Sequence, residues 1–235
     1  EEAGYLPDNE PITDAERIDL NDKKTMQGAL TDRQIAKCGQ TWFLMFGFGI
    51  LFMGLMGVVI MTVPRLTAVG MDQNLATMWF SISTLMGFVA SVVWGYIDQI
   101  WGTKPTSILF AILWAVMLAL CSASALLGSI PLGIASVILF GCLMGGLGNL
   151  FPSAVIWVFG RREFPNVNRF ISAGVALIRA LGVATMSICL AISGTDMAAG
   201  FGRGYLILTV LTVLGVILIA CLNRDKVPVS DPAAR

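Results

Sequence analysis

The 235 residues contain no histidine, which removes the commonest general base and metal ligand. Acid is almost as scarce where it would matter. Nine of the fifteen carboxylates precede residue 40, and none of the remainder falls inside a long apolar run. Charged residues make up 13% of the chain against 56% hydrophobic, with a mean hydropathy of +0.79. Such a composition excludes an ordinary soluble domain and points to a polytopic membrane protein. Cys38, Cys121, Cys142, Cys189 and Cys221 show no metal-ligand spacing, and four of them lie in apolar runs. They read as small packing residues rather than a disulfide framework. With no histidine, no intramembrane acid and no cysteine beside a base, no nucleophile–base pair can be assembled. We therefore expect no enzyme, no cofactor and no metal. The chain opens on Glu1-Glu2 rather than methionine, and we expect a fragment or a processed product.

What the chain does have is long apolar runs. About 20 apolar residues cross the ~30 Å hydrocarbon layer, and six runs meet that length, at 41–63, 75–97, 106–127, 132–159, 170–192 and 205–222. We call them spans one to six. Residues 1–40 read as a loop or linker, polar and acidic through Leu30. Thr31 and Gln34 form a capping-box pattern that starts a short interfacial helix. Residues 41–222 form the membrane domain and 223–235 a tail. Of the fifteen lysines and arginines, twelve lie on the side of the termini. Arg65 and Arg203 are placed in the opposite loops, and Arg179 within a span. The bias puts both termini in the cytoplasm, with Trp42, Trp94, Trp101 and Trp157 as an aromatic belt near that face.

The turn after span two, WGYIDQIWGTKP, holds Gly95, Asp98, Gly102 and Lys104. Pro105 suits the opening of the next helix, where its missing N–H costs nothing. Asp98 near a helix C-terminus opposes the macrodipole, so a partner is expected for it. Spans three and six carry almost nothing polar and are expected at the lipid-facing periphery. Spans one and four are glycine-rich at corresponding places, with Gly47, Gly49, Gly54 and Gly57 in one and Gly141, Gly145, Gly146 and Gly148 in the other. That is what a three-plus-three inverted repeat would give, and close helix packing without transport accounts for it equally. Pro152 cannot donate to the carbonyl of Gly148, which is left free beside Asn149. In hydrocarbon such a group must face protein or water. Ser81, Thr84, Gly87, Ser91 and Gly95 form a polar stripe on span two.

Arg179 is the strongest candidate. It lies near the middle of span five, where an arginine costs ~2.5–3.5 kcal/mol on insertion scales. Ser172, Ala176, Gly182 and Thr185 continue a small or polar stripe through it. Its counter-charge is a bound anion, an acid on a missing partner, or backbone carbonyls such as that of Gly148.

The turn at Gly95, Gly102 and Lys104, with the passage GGLGNLFPSAVIWVFGRREF ending span four, resembles the major facilitator superfamily. The match is to the C-terminal six-helix half, and it covers nearly everything after Thr31. Asp98 falls one position before the usual acidic place, which Gln99 occupies, and Thr103 replaces a usual basic residue. The resemblance implies an all-α, twelve-helix transporter of which this is half. Spans one, two, four and five would line a central cavity. A cation in mid-span five is similar to the oxalate/formate antiporter and monocarboxylate groups, where it meets substrate carboxylate. Those antiporters also tend to carry a basic residue in span two, where this chain has Ser91. The expected function is a secondary transporter moving a small organic anion by alternating access. Substrate contacts are expected at Arg179, Asn149, Ser81, Thr84 and Thr185. Gly95, Asp98, Gly102, Lys104 and Pro152 would serve conformational roles. The competing class is a six-helix subunit or scaffold that pairs with a partner through Arg179. Expected partners are the lipid bilayer, a missing N-terminal half or second copy, and the anion, with no nucleic acid.

Overall fold

The computed structural model describes residues 30–224 and 227. Among them the regular structure is entirely helical: a short helix Asp32–Lys37, then six long apolar helices at Gly39–Ala68, Gln73–Trp101, Thr103–Leu127, Ile130–Phe159, Phe164–Ser193 and Met197–Ala220. These are spans one to six, each long and apolar enough to cross a membrane. Most of the spans run past their apolar stretches. Span five begins at Phe164 rather than 170, because Asn166, Asn168 and Arg169 stay in the helix beyond the hydrophobic window. Span six begins at Met197 rather than 205. Its first turns contain Gly200, Gly202 and Gly204, which are poor helix formers. They are buried against Leu190, Leu126 and Met186, so close packing supplies what propensity does not. Each of the five turns between spans holds one glycine at positive φ, as at Gly102 (φ 83°) and Gly128 (φ 63°).

Span one packs chiefly on five and six, span four chiefly on two and three, and three and six pack on each other. Exchanging one with four, two with five and three with six carries this main neighbour scheme onto itself. Two further contacts break the exchange: five lies closer to six than two does to three, and one touches three. The contacts are close because glycines remove side chains at the crossings. A Cβ on Gly145 would run into the carbonyl oxygen of Gly87 and the backbone of Ser91, and one on Gly182 into the carbonyl oxygen of Met53. The expected small-residue contact at Gly141 and Gly145 is therefore present, directed at span two.

The ranking of the spans by burial differs from the expectation. Spans three and six do show outward stripes, including Ile112, Val116, Val210 and Ile217. Yet half of span three's apolar window is buried, around Phe110, Trp114 and Met117, whereas spans two and five are only 22% buried. Polarity alone missed this, since apolar residues pack on protein as readily as on lipid.

One end of the bundle is tied by polar contacts. The Thr31 backbone N–H donates to Gln34 Oε1 at 2.9 Å, as the capping pattern predicts, and Thr31 Oγ donates to the same oxygen at 2.9 Å. Thr41 Oγ donates to Ile35 O and Trp42 Nε1 to Ala36 O, holding the short helix against span one. The buried Glu163 accepts from Leu30 N–H at 2.9 Å, Lys104 Nζ donates to Leu222 O at 2.8 Å, and an exposed Arg169–Asp32 pair closes the edge. Trp94 is not a belt residue: it is buried and donates to Cys142 O at 2.8 Å. The partner expected for Asp98 is not found among the described residues, and its Oδ1 is buried without a hydrogen bond. Most of the acidic segment 1–40, the linker before Leu30, lies outside them.

Candidate functional site

Arg179 sits almost midway along its helix, about 22 Å from Phe164 and about 21 Å from Ser193 at 1.5 Å per residue. Its side chain is exposed, and among the described residues no hydrogen bond or ion pair reaches it. The carbonyl of Gly148, one of the three counter-groups considered, does not bond it. Residues 172, 175, 176 and 179 share one face by helical spacing. With Phe52 of span one and Phe151 of span four, Ser172, Val175, Ala176 and Arg179 line a cavity of about 180 Å³. The two rings meet edge-on at 5.8 Å, and Phe48 tilts against Phe151 at 5.6 Å, so this wall is braced from behind. The cavity thus combines one guanidinium, one hydroxyl and an aromatic floor. A single planar cation with its donors unused can take a carboxylate through two parallel hydrogen bonds.

The other predicted residues are distributed around this cavity or away from it. Asn149 faces span two, where its Nδ2 donates to Ser91 O at 2.8 Å and Ser91 Oγ at 2.9 Å. Ser91 is thus occupied with an interhelical bond. Ser81 and Thr84 line a separate open groove on span two with Phe80, Leu85 and Phe88. Their hydroxyls donate to Thr77 O and Phe80 O of their own helix. Thr185 donates to Leu181 O and lies about 120° around the helix from Arg179 at 3.6 residues per turn. The predicted stripe on span five therefore divides: Ser172, Ala176 and Arg179 reach the cavity, while Gly182 is used for packing on span one.

Three residues of consequence were missed in the sequence. Phe52 and Phe151 carry no polar atom that would mark them within an apolar run, and only the position of Phe151 before Pro152 could have set it apart. Arg65, placed in a loop, is inside span one and fully buried. Its Nη2 donates to Ser136 Oγ at 2.9 Å and its guanidinium lies over the Tyr205 ring, 5.4 Å from the centroid.

No protein-family model and no curated protein sequence matches the chain.

Proposed function

We infer that this chain is one six-helix unit of a secondary transporter, of the major facilitator type, for a small organic anion that carries a carboxylate. The observation that carries the reading is Arg179: a permanently charged group at mid-helix, unpaired within the described residues, beside a cavity. Leaving a guanidinium without an acceptor in low dielectric is costly, and a carboxylate substrate removes that cost while it is bound. The exchange-symmetric neighbour scheme supports a three-plus-three inverted repeat. The burial pattern supports a partner, since spans two and five leave Leu85, Phe88, Leu177 and Ile192 among their exposed residues. A second six-helix half, or a second copy, would cover those faces and complete the cavity between the two units. Alternating access then follows from rocking one unit against the other. Apart from Asp98, at the end of span two, the spans carry no acid, which favours exchange or facilitated diffusion over proton coupling, unless the partner supplies the acid. We place the protein in the cell membrane with both termini cytoplasmic, and assign it no enzymatic activity.

A second reading uses the same exposed faces differently. They would dock on a non-transporting partner, with Arg179 paired to that partner's acid. Ligand binding by variants separates the two. In the intact protein in lipid, Arg179→Lys should retain part of the binding of a mono- or dicarboxylate panel, and Arg179→Gln should lose it while still folding. A panel that stabilises wild type and Arg179→Gln equally refutes substrate binding at Arg179. Loss of folding in Arg179→Gln supports the docking reading.

A further inference from the structure

The second intramembrane arginine poses a different problem from the first. Arg65 has no accessible surface, so the packing around it leaves no room for a water molecule. Of its three guanidinium nitrogens, only Nη2 has an acceptor, Ser136 Oγ; Nε and Nη1 are buried without any. The Tyr205 ring takes up part of the charge through its face. The Tyr205 hydroxyl is aimed elsewhere, at Gly57 O, 3.2 Å away. No carboxylate among the described residues pairs with Arg65. The site joins spans one, four and six, whereas the Arg179 cavity is lined by one, four and five, and on span one Arg65 lies about 20 Å along the helix from Phe52 of that cavity. Arg65 is therefore not a second station for the same anion.

A buried charge with unused donors is a standing penalty on the packing that encloses it. We propose that Arg65 is a built-in opener of this end of the bundle: its guanidinium is under-satisfied while spans one, four and six are closed around it. When they part, water reaches Nε and Nη1 and the penalty is relieved. Leu66, next to Arg65 on span one, and Val137, next to Ser136 on span four, are buried in a small apolar cluster with Met71 and Ala76, and this cluster holds spans one and four together against the pull of the arginine. The inference stands whether or not the chain transports an anion.

Arg65→Met tests it. Methionine keeps an unbranched stem for the Tyr205 ring and removes the charge and the donors. Ser136 Oγ keeps its own bond to Gly133 O at 2.7 Å, so nothing is left orphaned. Val137→Cys, in the intact protein without its native cysteines and in lipid nanodiscs, reports opening through its rate of maleimide labelling. Arg65→Met should slow that labelling at least ~10-fold, which corresponds to ~1.4 kcal/mol toward the closed packing, and should raise the melting temperature. Faster labelling, an unchanged rate, a lower melting temperature or failure to fold would each overturn the proposal, because each means that the arginine holds this end shut or has no effect on it.

Discussion

Gly145→Ala is the sharpest test of the packing that positions the site. A Cβ at this position would press into Gly87 O and lie 2.5 Å from Ser91 N and 2.8 Å from Ser91 Cα. Carbon contacts settle at ~3.5–4.0 Å, so spans two and four would have to separate by roughly 1 Å. All three obstructing atoms are helix backbone, and no rotamer change moves them. Overpacking of this kind costs ~1–3 kcal/mol. Separation also strains the Asn149–Ser91 bonds one turn along, worth ~0.6 kcal/mol on average for a polar pair in a membrane protein. Gly148→Ala, on the same helix, is the internal control. Nothing lies within 4 Å of its Cβ position, and alanine is the better helix former by ~1 kcal/mol. Thermal unfolding in detergent should therefore rank Gly148→Ala at or above wild type and Gly145→Ala below it, with a gap of ~2–4 kcal/mol between the two variants. Equal melting temperatures would mean that the close approach of spans two and four does not exist.

Asn149→Ala and Ser91→Ala should each cost up to ~1.7 kcal/mol, and the double variant should cost about as much as Asn149→Ala alone; full additivity in a double-mutant cycle would show that they do not interact. Cysteines at Thr103 and Ala199, in a background without native cysteines, should label from opposite faces of the membrane, Thr103 from the cytoplasm. Labelling of Thr103 from outside intact cells would reverse the orientation.

The helices were legible in the sequence because hydropathy measures depth, and depth is what a bilayer imposes on every span alike. Their ends were not, since a helix continues wherever its backbone bonds and packing allow: Asn166 and Arg169 extend span five, and buried glycines extend span six. Gly141 and Gly145 were legible as a contact because small residues four apart mark a place where backbones can meet. Which span they meet was not legible, since any apolar helix would satisfy them. Azimuth was lost in the same way. Spans three and six lack polar residues, and lipid and protein interior are alike to an apolar side chain, so span three's burial around Trp114 left no trace in composition.

The two arginines show where this limit falls on the site. Arg179 was legible because its position in the run fixes its depth, and at mid-span neither membrane surface is within easy reach of its side chain. Arg65 lies three residues from the end of its helix, next to Pro64, and a hydropathy reading assigns such a residue to the turn. The side chains of a helix lean toward its N-terminus, so the guanidinium of Arg65 is carried back into the span, where Tyr205 and Ser136 enclose it. The same lean makes a cation at the C-terminal end of a span deeper than its residue number suggests, and one at the N-terminal end shallower. Arg169, near the start of span five, obeys the second half of that rule: it is exposed and paired with Asp32. Position along the span therefore gives the wrong reading where lean and location act together, as they do at Arg65, and the right one at mid-span, where a shift of one turn changes nothing.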